Sequence, residues 1–141
     1  VERACVDWRW RLGDRARRLR RIHADFHPFN IVFDGDAFTL LDAARGCEGD
    51  PADDVTSLAI NFVFFALEVP GAWSRGLDAL WDAFWATYLA ASDDRELLDV
   101  SAPFLAFRLL VVASPVFYPG VDEERRSLLF GLAEREGPWR P

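Results

Sequence analysis

The sequence predicts a mainly helical α+β domain: a helical bundle that carries one small β-hairpin. Half of its 141 residues are hydrophobic and 14% are aromatic. That is enough to bury one core, in a chain too short for two ordinary domains, so residues 1–141 are expected to form one domain. Leu77, Leu80, Trp81, Phe84, Trp85, Tyr88 and Leu89 recur at helical spacing and line one face for burial. Finally, Ile31-Val32-Phe33 and Phe38-Thr39-Leu40-Leu41 flank an Asp-Gly turn signal, the chemistry of a hairpin.

In chain order, residues 2–20 suggest a helix with Trp and Leu scattered among Arg, weakly interrupted by Gly13. The hairpin follows from Ile31. Residues 44–54 are rich in Gly and Asp and predict a loop, with Pro51 and the acids after it suited to opening a helix. The apolar run Leu58 to Val69 is the body of that helix. It contains Asn61 and Glu68 and is too short to span a bilayer. The face from Leu77 to Leu89 supplies the next helix, and its aromatic stripe is core material rather than a ligand platform. Two more helices are expected from Pro103 to Ala113 and from Asp122 to Glu136, the second opened by an Asp N-cap and acids in its first turn.

Charge is unevenly spread. Residues 1–21 hold eight Arg against three acids, and the remainder holds eight Arg against twenty acids. Arg with Trp can bind phosphates and stack on bases, but the acidic remainder repels a polyanion, so the basic segment predicts a solvated helix face and neither a nucleic-acid nor a membrane partner. Cys5 and Cys47 have no metal-type spacing and predict free thiols. With no apolar segment resembling a signal peptide in the first twenty residues, the expected location is the cytoplasm. The sequence begins with Val and has neither Met nor Lys, which suggests a truncated chain and removes any lysine that could anchor phosphate.

The chemistry-bearing segment is His23-Ala24-Asp25-Phe26-His27-Pro28-Phe29-Asn30, followed by the hairpin and then Leu41-Asp42. Paired antiparallel strands bring opposing residues within about 5 Å, so the hairpin carries Asn30 and Asp42 toward each other. A three-residue loop at Gly35 to Ala37 sets them opposite, and a two-residue loop offsets them by one. One amide oxygen and one carboxylate are the hard donors that suit magnesium, which borrows its other ligands from water and phosphate.

The spacing H-x-D-x-x-x-x-N is that of the kinase catalytic loop. With His27 and Pro28 it resembles the loop H-G-D-x-H-x-x-N of aminoglycoside phosphotransferases and their choline-kinase and fructosamine-kinase relatives. Gly49-Asp50-Pro51-Ala52-Asp53-Asp54-Val55 likewise resembles the G-D-P-x-x-D-L segment that opens the next helix in that family. The resemblance is strongest over residues 22–60. It implies the C-terminal catalytic lobe of a protein-kinase-like fold, with Asp25 orienting the acceptor hydroxyl and Asn30 and Asp42 binding Mg2+. His23 and Asp54 would support the loop, and His27 would contact nucleotide phosphate or simply pack. Ala43-Ala44 stands where kinases have Phe-Gly after the metal-binding aspartate. The implied activity is transfer of the γ-phosphoryl group of ATP to a hydroxyl of a small molecule, in a family whose acceptors are often cationic amines.

The sequence encodes neither the ATP-clamping N-terminal lobe of that family nor its lysine, so weak or no ATP binding and near-inactivity of this chain alone are expected. The face near Phe26, Phe29 and Phe33, left uncovered, predicts a homo-oligomer. There are two rival readings. One is a kinase-derived binding module without catalysis. The other is a metal-dependent phosphoesterase in which His23, Asp25 and His27, alternating along an extended segment, share a metal.

Overall fold

The computed structural model describes residues 2–134. Helix α1 (Glu2–Gly13) is shorter than the sequence suggested. The chain leaves it at Gly13, and a single 3-10 turn at Ala16–Arg18 swings Arg18 inward. Arg18 is not a solvated residue of a basic face. It is buried, with Nε 2.8 Å from Asp50 Oδ2 and Nη1 2.5 Å from Asp94 Oδ1. Hydrogen bonds to Asp94 and then Asp50 hold its guanidinium even more firmly protonated than usual, against the desolvation that opposes them. Those carboxylates draw the residue inside, which helical periodicity along 2–20 does not report.

After Arg18 the chain forms strand β1 (Arg20–Ile22), hairpin strands β2 (Ile31–Asp34) and β3 (Ala37–Leu40), and strand β4 (Cys47–Gly49). Strands β1 and β4 pair antiparallel, with Arg20 opposite Gly49 and Ile22 opposite Cys47, inside what the sequence suggested was helix and loop. The hairpin is present where expected. Its connection is the two-residue Gly35-Asp36, with Gly35 at φ +60°, and Asp34 pairs with Ala37. Phe33 and Phe38 lie side by side on it, 6.3 Å apart and exposed, and Phe29 is exposed as well. Phe26, grouped with them from sequence, is half-buried.

Helix α2 (Pro51–Glu68) begins at an Asp50 N-cap, whose side chain accepts from the Ala52 N–H at 2.9 Å, with Pro51 in its first turn. It is followed by α3 (Leu77–Ser92), the single turn α4 (Leu97–Val100), α5 (Ala102–Ala113) and α6 (Glu123–Ala133). Asp122 caps α6 as expected, and the expected extension of that helix to Glu136 falls outside the described residues. The molecule is thus a mainly helical α+β structure.

Helix α2 serves two apolar clusters. Its first turns pack Ala52, Val55 and Ala59 with Trp81, Trp85, Leu97 and Leu105. Farther along, Ile60 packs with Leu109, Val112, Val121 and Leu129. The aromatic stripe of α3 belongs to the first cluster, with the Trp81 and Trp85 rings 5.5 Å apart edge to face. Leu80, placed on that stripe by spacing, is instead 58% exposed, because it lies at the margin of the face. Among the described residues no helix is long and apolar enough to cross a membrane.

Candidate functional site

The segment from His23 to Asn30 connects β1 to the hairpin and rests on the first turn of α2. Both oxygens of Asp54 accept from it: Oδ2 from the His23 N–H at 2.7 Å and Oδ1 from the Ala24 N–H at 2.9 Å. For two successive N–H groups to meet one carboxylate, the chain must bend sharply, and Ala24 does so with φ +64°. The His23 ring reaches across to the end of β3, its Nε2 2.7 Å from the Leu41 carbonyl oxygen. A carbonyl only accepts, so this nitrogen carries the proton. The loop is therefore fastened on one side to α2 and on the other to the hairpin.

Asp25 projects from this fastened loop. Its Oδ2 lies 3.3 Å from Arg45 Nη1, and its Oδ1 lies 3.9 Å from His27 Nε2. Asn30 closes the segment through a 3-10 turn at Pro28–Asn30 and donates from Nδ2 to the Asp25 backbone oxygen at 2.9 Å. The two-residue hairpin loop sets Asn30 opposite Leu41, whose N–H donates to the Asn30 carbonyl at 2.9 Å. Asp42 therefore falls one residue past direct opposition. It adopts φ +56° where the chain turns away from β3, and its side chain is exposed.

A cavity of about 220 Å³ opens beside the loop, with Asp25, His27 and Phe29 on its near wall. Ser57, Ile60, Asn61 and Phe64 of α2 line another side, and Arg108 of α5 and Tyr118 face the loop. The structure thus brings Asp25 and His27 to one cavity, ties Asn30 to the Asp25 backbone, and places Asp42 outside the cavity lining. His23 and Asp54 lie behind the loop. A larger hollow of about 470 Å³, bounded by Leu12, Ile22, Cys47 and Phe104, also touches Asp50 and Asp53, but those carboxylates are already paired with Arg18 and Arg108. The smaller cavity is the one that meets reactive groups.

Two buried polar atoms on its walls have no hydrogen-bond partner, His27 Nδ1 and Arg108 Nε. Arg108 is otherwise held by Asp53, with Nη2 2.7 Å from Oδ1. Sequence reasoning missed Arg45, Arg108, Asn61 and Tyr118. The position of Arg108 did carry a signal, since it is the single charge within the apolar helix Ala102–Ala113.

Among the described residues no group of three His, Cys, Asp or Glu side chains is placed to hold a metal ion, which removes the geometric basis for a shared metal on His23, Asp25 and His27. The pair Asn30 and Asp42 is a different donor set. With Nδ2 of Asn30 taken up by the backbone, its Oδ1 is the remaining end of the amide, and Asp42 forms no ion pair among the described residues. Both are hard oxygen donors, the donor chemistry of a magnesium ion that takes most of its shell from phosphate and water.

The family model described as APH, phosphotransferase enzyme family, matches residues 2–99. No curated protein and no solved structure matches the chain.

Proposed function

The chain belongs to the APH phosphotransferase enzyme family, and we propose that it is the catalytic lobe of a small-molecule O-kinase, nearly inactive by itself, in which Asp25 receives the acceptor hydroxyl. One observation carries this reading: Asp25 stands at the wall of a cavity, on a loop held in place by Asp54, His23 and Asn30. Such fixed placement is what phosphoryl transfer asks of a protein, because most of the rate comes from positioning and charge neutralisation.

In the proposed reaction the acceptor oxygen forms a bond to the γ-phosphorus of ATP while the bond from that phosphorus to the β-phosphate oxygen breaks. ADP leaves with the electron pair of the broken bond, and the hydroxyl proton passes to Asp25. Arg45, 3.3 Å from the Asp25 carboxylate, and His27 flank the place where charge develops. Asn30 and Asp42 would hold magnesium, which neutralises phosphate charge when bound. His27 lines the cavity and tilts against Phe29 with ring centroids 6.0 Å apart, a placement compatible with either a phosphate contact or packing. Since the chain has no Lys, phosphate contacts fall to Arg, His and backbone N–H groups, and ATP is expected to bind weakly.

The test is ADP release in the presence of magnesium, ATP and a panel of hydroxyl acceptors, comparing the chain with Asp25→Asn. Loss of the positioned base is expected to lower kcat about 10²- to 10⁴-fold with little change in the acceptor KM. Equal rates above the uncatalysed background in the two proteins would remove Asp25 from the chemistry. Acceptor binding without any transfer would favour the non-catalytic module.

A further inference from the structure

We propose that the cavity beside Asp25 takes a single-ring hydroxy compound bearing an anionic group, rather than a polycationic amine. The inference rests on Asp25 being the hydroxyl-facing carboxylate. At about 220 Å³ the cavity is smaller than the ~300–1,000 Å³ that drug-sized ligands fill, so one ring with short substituents is the scale it accommodates. Ile60, Phe64, Val111 and Val112 supply apolar walls for that ring, and the Phe64 and Tyr118 rings pack 5.6 Å apart beside it.

The charges decide the substituent. Asp25 is the one carboxylate among the residues lining this cavity, and the hydroxyl takes that position. An ammonium group on the acceptor would have no second anion among the residues lining the cavity to meet, and would be desolvated beside a guanidinium whose charge Asp53 only partly balances, which disfavours it. Arg108 offers the reverse. Its Nη2 is paired with Asp53, whereas its Nε–H is buried with no acceptor. A guanidinium has five donors and no acceptors; its Nε–H is enclosed, so a ligand oxygen meets Arg108 at the part of the guanidinium that lines the cavity, where a carboxylate makes the strongest bond. The acceptor lies with its hydroxyl at Asp25, its ring between α2 and α5, and its acidic group at Arg108.

The experiment measures dissociation constants of three isosteric probes for the full chain by calorimetric titration: the para-hydroxymethyl derivatives of benzoate, benzamide and benzylamine. The benzoate is expected to bind at least about tenfold tighter than the benzylamine, with the benzamide between them. Arg108→Gln should reduce that ratio to about twofold or less, and Arg108→Lys should keep most of it. Near-UV circular dichroism of the aromatic side chains reports whether each variant is folded, and should Arg108→Gln unfold, the ranking in the unsubstituted chain decides alone. Equal or tighter binding of the benzylamine, or no binding of any probe at millimolar concentration, overturns the proposal. Offering the same probes with ATP and magnesium separates this inference from the reading beneath it. Asp25-dependent ADP release without charge discrimination sinks only the acceptor class, whereas the predicted ranking with no Asp25-dependent release sinks only the kinase assignment.

Discussion

Ala24 bears a Cβ in a left-handed conformation, φ +64°, that L-residues other than glycine avoid at a cost of roughly 1–2 kcal/mol. The two part-buried bonds from the loop N–H groups to Asp54 offset that cost, since hydrogen bonds to a carboxylate contribute about 1.5–3 kcal/mol each. Ala24→Gly is therefore expected to raise stability by about 1 kcal/mol, and Asp54→Ala to lower it by about 2–3 kcal/mol, in urea unfolding. A destabilising Ala24→Gly together with a neutral Asp54→Ala would show that the loop is held by something else. The spacing of His23, Asp25 and Asn30 was legible in the sequence because the intervals are short, whereas Asp54, 31 residues from His23, was reached only through the family resemblance. Arg45 was not. Its approach to Asp25 depends on how the chain turns after Asp42, which no interval records.

The long elements were legible for the same kind of reason. Helices α2, α5 and α6 carry an Asp N-cap or a Pro at their starts, α3 has its apolar stripe, and the hairpin has its Asp-Gly signal. Strands β1 and β4 were hidden. Each is three residues long, Arg20, Arg21 and Glu48 interrupt any apolar pattern, and the pairing joins segments far apart in sequence. What fixes that pairing sterically is Gly49: a Cβ there would sit 2.3 Å from Cδ1 of the buried Ile22. Gly49→Ala is expected to cost about 1–3 kcal/mol by overpacking, measured as a lower urea midpoint, and Ile22→Val in the same chain should recover part of the loss. No recovery in the double variant would mean that Ile22 is not what the methyl group strikes.

Across the whole molecule, the basic start and the acidic remainder that looked separate in the sequence are used on each other. Arg18 reaches Asp50 and Asp94, while Arg15 and Arg17 both reach Glu96. The hydrogen bond from Arg17, helped by Arg15, holds the Glu96 carboxyl below its ordinary 4.5. A carboxyl depressed by folding stabilises the native state above its unfolded value, and that contribution disappears as pH falls through the folded value. Any difference in Tm between the unsubstituted chain and Glu96→Gln should therefore be present at neutral pH in low salt, shrink below about pH 4, and weaken in high salt. A difference that persists unchanged at pH 2 would show that the glutamate acts through shape rather than charge. Helix α2 links these parts. Asp54 near its start holds the Asp25 loop and Phe64 farther along lines the cavity, so both are graduated on a single ruler with a rise of about 1.5 Å per residue. Inserting or deleting one residue between them would turn one mark about 100° away from the other as well as displacing it. Substitutions along that stretch leave the two marks in register, whereas any change in its residue count does not.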